Sequence, residues 1–306
     1  MTTLTASIEL KKARPKHSLL KRYWGDFARS RIALFGLVIL GILVIAAVFA
    51  PFVAPQNPYD LNQLNVLNSH IKPGTRAADG SMLFLLGTDD QGRDVYSGIV
   101  FGLRISLLVG FLSTGIALII GATFGLISAY FGGSLDSLIM RVVDLQLSFP
   151  AMLVALILVA ILGPGLDKVI IALVAVQWAY YARTIRSAAL VERQREYIEA
   201  AKCLALSNAR ILFGHLLPNC IPPLIVVATM NIASAISLEA TLAFLGVGAP
   251  ITQPSLGRLI ANGYAYMLSG EYWICFFPGL VLVTAIVSIN LVGDQLRDVL
   301  NPRLQK

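Results

Sequence analysis

The feature that most constrains this chain is a set of long stretches that carry no charged residue. They occupy positions 32–52, 105–130, 145–166, 220–238 and 272–293. At about 1.5 Å per residue, each can cross roughly 30 Å of hydrocarbon as a helix. Hydrocarbon offers the backbone no hydrogen-bond partners, so a spanning segment must satisfy its own, and the helix does this. A sixth uncharged run, 169–182, is shorter. It becomes a span if Arg183 and Arg186 reach out to water from its end. The expected fold class is therefore an all-α polytopic membrane protein with six transmembrane helices. With 57% hydrophobic residues in 306, a single water-surrounded core is excluded.

Charge placement orients these spans. With six crossings and both termini in the cytoplasm, only Lys72, Arg76, Arg93, Arg104, Lys168 and Arg258 of the 24 Lys and Arg lie outside. That is the asymmetry the positive-inside rule describes. The basic residues hug membrane ends rather than forming a patch, which argues against nucleic acid as a partner and for membrane lipid. The first apolar run starts late and is long enough to stay as a span, so no cleavable signal is expected. The three cysteines, Cys203, Cys220 and Cys275, have no paired spacing that would indicate a disulfide framework or a zinc site.

The spacing divides the chain into a basic N-terminal segment (1–31), a first span (32–55), an extracytoplasmic segment (56–104) and a five-helix core (105–306). Within the core, the polar interval 196–219 stands between two apolar segments. Tyr197, Ala200, Ala201 and Leu204 recur at i, i+3, i+4 and i+7, giving a short helix one apolar face. Ser207 is placed to cap a second stretch of helix and Pro218 to end it. Such a hairpin either lies among lipid headgroups or docks into a soluble partner.

Polar residues inside the spans have similar double readings. Gly121 and Gly125 either let another helix approach or are merely tolerated. Gln177, Tyr181 and Thr184 form one stripe, which lines a polar path or bonds between helices, and Ser234, Ser237 and Thr241 share a face at i, i+3 and i+7. Glu239 lines that path, makes a structural hydrogen bond, or sits shallow enough to be wet. Arg141 and Asp144, at i and i+3, are expected to pair. Asp89, Asp90 and Asp94 lack the spacing of a calcium loop, so no metal site is expected.

Two sets of residues carry a resemblance. Glu199-Ala200-Ala201, followed by Leu217-Pro218, resembles the EAA loop of ABC importer permeases. The runs at 86–97, 242–248 and 290–302, with Pro278-Gly279, resemble the C-type permease of the dipeptide/oligopeptide branch. The resemblance implies a type I ABC importer permease fold in a bacterial inner membrane. It makes 183–219 a cytoplasmic coupling loop that seats in an ATPase, through Tyr197, Glu199, Ala200, Ala201, Leu204, Ala205, Leu217 and Pro218. Ala205 stands where the family usually has Gly. If that slot needs a positive φ, Ala there costs about 1 kcal/mol.

The partners so implied are a homologous permease, two ATP-binding subunits and an extracytoplasmic substrate-binding protein. ATP and Mg belong to the partner subunits. This chain has no phosphate-cradling G-x-x-x-x-G-K-[ST] run, no nucleophile–base pair, and no cofactor of its own is expected. The candidate translocation path is Gln177, Tyr181, Ser234, Ser237, Glu239 and Thr241. An ion-gradient-driven transporter or a non-transporting scaffold are the alternatives by class. Nickel complexes, opines and glutathione are the alternatives by substrate.

Overall fold

The computed structural model describes residues 19–77, 79–248, 253 and 255–300. The basic lead at 1–18, Pro250, Pro254 and the Asn301-Pro302 end of the tail lie outside the described residues. Helix α1 (Leu19–Phe27) packs on the last helix of the chain through Phe27. It leads into α2 (Arg31–Val48), where the Ser30 hydroxyl accepts the Ala33 N–H at 3.3 Å. The helix breaks at Phe49 and restarts as the one-turn α3 (Ala50–Val53), with proline in its first turn, where an N–H has no intrahelical partner.

Residues 54–77 and 79–94 form a folded cap at one end of the bundle, which includes a short antiparallel strand pair, β1 (Thr75–Arg76) with β2 (Leu83–Phe84). Its seam is the run around Asp89 and Asp94. One Asp89 oxygen accepts the backbone N–H groups of Gln91 (2.9 Å) and Arg93 (2.8 Å). Asp94 accepts the N–H (2.9 Å) and hydroxyl (2.6 Å) of Ser97, capping the next helix. Burial pushes both carboxyls up from the ordinary carboxylate range, against the pull of these hydrogen bonds.

Helix α4 (Val95–Phe131) starts at that cap, ahead of the uncharged run that begins at 105. Arg104 is exposed on its surface, so a charge-free window starts too late. The run 145–166 is not one straight span either. It is split between the end of α5 (Gly133–Leu147) and α6 (Ala151–Leu162), which meet at 91°. Pro150, which itself caps α6, pushes the residue before it out of the helical region. Helix α7 (Leu166–Glu192) follows, then α8 (Glu196–Cys203) and α9 (Asn208–Arg210).

Pro218 does not end the helix there. The chain passes from α9 through a π-helical turn, Ile211–Leu216, straight into α10 (Leu217–Phe244), making one helix over Asn208–Phe244. An interior proline clashes with the carbonyl four residues back. For Pro218 that is Gly214, inside the π turn, where the register has already widened. The chain closes with α11 (Leu256–Tyr264) and α12 (Trp273–Leu300). Among the described residues, Arg31–Val48, Val95–Phe131, Asn208–Phe244 and Trp273–Leu300 are long and apolar enough to cross a membrane, and the bent α5–α6 pair passes as a fifth.

Helix α4 is the axis of the bundle, contributing buried residues to three of the apolar clusters. Its contact with α7 runs backbone to backbone. A Cβ on Gly121 would lie 2.3 Å from the Trp178 carbonyl oxygen, and one on Gly125 2.4 Å from that of Ala182. Asp144 pairs with Arg183 of α7 rather than with Arg141 of its own helix. Asp136 takes Arg186 in a two-pronged pair, Nε–Oδ1 and Nη2–Oδ2 both 2.6 Å. At the opposite end, Trp273 donates its indole N–H to the Thr88 carbonyl at 3.2 Å, tying the cap to α12.

Candidate functional site

Two features stand out, and α10 joins them. The first is the hairpin of α8 and α9. Ile198 and Ala201 are buried in one cluster with Leu126 and Ala129 of α4, Ile185 and Ala189 of α7, and Leu216 and Leu224. This anchor fixes which way α8 faces. Tyr197, Glu199, Ala200 and Leu204 are exposed, Leu204 by 74%. Of the four residues expected to share one apolar face, Ala201 turns inward with Ile198, while Tyr197, Ala200 and Leu204 form an outward apolar stripe. Ile198, outside that periodic set, is the anchor the sequence pattern missed. Leu217 is half-buried against the same cluster and Pro218 is exposed.

The turn between α8 and α9 is closed by two backbone hydrogen bonds, Ala205 N–H to Lys202 (2.9 Å) and Leu206 N–H to Ala201 (3.2 Å). That nested pair is a helix end built around a left-handed residue. Ala205 has φ +50°, a conformation that suits glycine. Ala205→Gly is therefore expected to stabilise the protein by about 1 kcal/mol, seen as a rise of about 2 °C in Tm. An unchanged or lower Tm in detergent would contradict this. The tip is also tied to α4: the Tyr130 hydroxyl donates to Asn208 at 2.8 Å, and the Lys202 ammonium lies 6.0 Å from the Tyr130 ring centre.

The second feature is a cavity of about 630 Å³ between α6, α7, α10 and α12. Its polar lining is Gln177 and Tyr180 of α7, Asn231, Ser234, Ser237 and Thr241 of α10, and Asn290 of α12. The structure thus brings Gln177, Ser234, Ser237 and Thr241 together. Tyr181 is wholly buried among α4 and α10 residues, and its neighbour Tyr180 lines the cavity instead. Glu239 is 1% exposed and does not line the cavity; it accepts the Ser106 hydroxyl at 3.0 Å. Thr184 donates to the Tyr180 carbonyl of its own helix. Asn231, Tyr180 and Asn290 belong to the lining only because of how three helices assemble, which no spacing along one of them reveals.

The described residues thus form an apolar helix bundle with an open, partly polar cavity on one side and an exposed hairpin continuous with one of the cavity helices. Residues 121–306 match the family model of the binding-protein-dependent transport system inner membrane component, and residues 18–73 match the N-terminal transmembrane domain of oligopeptide transport permease C. The chain belongs to the family of inner membrane components of binding-protein-dependent transport systems. It is a multi-pass inner membrane permease of the ABC importer type.

Relatives run along nearly its whole length. The dipeptide transport system permease protein DppC of Escherichia coli K12 is 41% identical over 287 residues, 94% of each chain. That of Haemophilus influenzae is 38% identical, covering 94% of this chain and 96% of its own. The di/tripeptide permease DppC of Pseudomonas aeruginosa is 39% identical, over 94% and 93%. In fold, the chain resembles a solved inward-facing MetNI methionine ABC transporter, with a TM-score of 0.54 at 22% identity, covering 67% of this chain and 96% of that one.

Proposed function

We propose that this chain is the C-type permease subunit of an importer for dipeptides and related short peptides. It pairs with a homologous permease, two ATP-binding subunits and an extracytoplasmic binding protein that delivers the solute. The observation that carries this reading is the single helix Asn208–Phe244, which holds the exposed hairpin at one end and half the cavity wall further along. The α8–α9 hairpin faces the cytoplasm and seats its Tyr197–Ala200–Leu204 stripe in an ATPase subunit. Six spans, with both termini in the cytoplasm, put the folded cap on the side where the binding protein docks.

Transport then proceeds by alternating access. ATP, held with Mg by the partner subunits, closes the ATPase pair and shifts the hairpins. The bundle responds by exposing the cavity outward, and hydrolysis lets it return inward. Direction comes from the different affinities of the two conformations for nucleotide and solute. A cavity of about 630 Å³ lies within the roughly 300–1,000 Å³ usual for small-molecule sites.

The test is uptake of a radiolabelled dipeptide into vesicles holding the full complex. Uptake is expected only with Mg-ATP and the binding protein present. Uptake driven by an ion gradient, with this chain alone, would replace the reading with that of a secondary transporter.

A further inference from the structure

One buried acid takes no part in the cavity. Glu239 lies on α10 between Ser237 and Thr241, which line the cavity, yet it meets the first turn of α11 instead. That turn is wedged between α4 and α10 with bare backbone at both contacts. A Cβ on Gly102 of α4 would lie 3.1 Å from the Leu256 nitrogen. A Cβ on Gly257 of α11 would lie 2.4 Å from the Ala240 carbonyl oxygen. Leu256 and Leu259 pack in one cluster with Ile99, Leu103 and Ile236. Within this wedge, Ser106 of α4 donates its hydroxyl to Glu239 Oε2 at 3.0 Å. The hydroxyl of Ser255 also stands beside the carboxyl, and it caps α11 by accepting the Arg258 N–H at 3.4 Å. Glu239 Oε1 is buried and unpaired.

We propose that Glu239 is a positioning residue for transport: its carboxyl takes hydroxyl donors from α4 and from the N-cap of α11, and so fastens the cap end of α4, α10 and α11 into one moving body. This rests on the transport reading above and adds to it a residue that touches no solute. A buried carboxyl oxygen left without a donor is costly. Ser255 has the proton to give, because its oxygen is already engaged by Arg258. An acid at membrane depth faces a cavity or a partner, and Glu239 has only partners. Helix α10 carries the cavity hydroxyls on one face and this carboxyl on another, so a shift of α10 that moves Ser237 and Thr241 carries α11 with it. Without the carboxyl, apolar contact alone holds α11, and α10 moves while α11 lags.

Two measurements test this. In the first, hydrogen exchange is followed in the purified subunit in detergent. Glu239→Met keeps the side chain's length and removes both acceptors. The amides of Leu256–Tyr264 are then expected to exchange about fivefold faster or more, and those of α7 at the parent's rate. Glu239→Gln keeps one acceptor oxygen and should stay within about twofold of the parent. If Glu239→Met is not recovered, Ser106→Ala takes its place in both measurements. It frees the carboxyl to turn from Ser255, and the acceleration expected is about threefold or more. In the second, complexes recovered in vesicles are compared for dipeptide taken up per ATP hydrolysed. Glu239→Met is expected to lower this ratio about fivefold or more, with the ATPase rate within about twofold of the parent's, and Glu239→Gln to restore it. Parent-like exchange in α11, or an unchanged ratio in the recovered complex, would overturn the proposal; the latter would leave Glu239 a residue of folding alone. A parent complex that takes up no dipeptide would instead strike the reading under the proposed function, and the exchange rates would still decide whether Glu239 anchors α11.

Discussion

Gly125→Leu is expected to abolish recovery of folded protein. At this point α4 meets α7 with no side chain of its own between them. Even the first carbon of a side chain would stand 2.1 Å from Ile185 Cγ2 and 2.4 Å from the Ala182 carbonyl oxygen. Neither is a flexible tip, so the helices themselves would have to part, and the buried cluster around Leu126, Tyr181 and Ile185 would part with them. Overpacking a tight core by a few atoms costs about 1–3 kcal/mol, and a leucine here adds four where one does not fit. Gly125→Ala should already lower Tm measurably. Gly115→Ala on the same helix is the control, because nothing lies within 4 Å of the added carbon. It should be neutral or stabilising by up to about 1 kcal/mol. Size-exclusion profiles and thermal unfolding in detergent read all three. A Gly125→Leu protein recovered with the parent's yield and Tm would refute the close contact.

The second large effect is on assembly rather than folding. Under the proposed function, Ala200→Asp with Leu204→Glu should leave the chain folded yet remove ATPase co-purification and lower ATP-driven uptake by about 100-fold or more. Both side chains are exposed, so the isolated subunit should lose no more than about 0.5 kcal/mol per substitution. In the complex the same two charges would enter a dehydrated contact, where a well-placed residue is worth about 2 kcal/mol or more. Ala201→Asp separates the two roles. That residue is 4% exposed and packs inward, so its substitution should destabilise the subunit before any partner is added. Unchanged co-purification and uptake in the double variant would leave the hairpin without the role assigned to it.

These contrasts mark what the amino-acid sequence reveals and what it does not. The five long charge-free runs locate four spanning-length helices and the bent α5–α6 pair because lipid enforces that rule on every residue. The short run 169–182 falls in α7, which is not among the described helices long and apolar enough to cross. The runs misplace ends, as at Val95 and Pro150, because a cap or a proline acts over a single turn. The positive φ at Ala205 was legible from the family's usual glycine, and the Ser234–Ser237–Thr241 face from its helical period. The inward turn of Ala201 was not, since Ile198 decides it by packing against α4 and α7. The burial of Glu239 was one of three open readings, resolved by Ser106 from a helix 133 positions away. Periodicity describes one helix at a time, and a cavity is a property of four.

The uninterrupted run from Asn208 to Phe244 has a mechanical corollary. At 1.5 Å per residue its 37 residues form a rod of about 55 Å, with no hinge loop between the exposed tip and the cavity-lining hydroxyls. Under the proposed function, a tilt imposed at the tip reaches Ser237 through helix alone, past the π turn and Pro218, Pro222 and Pro223, with no loop to be ordered first.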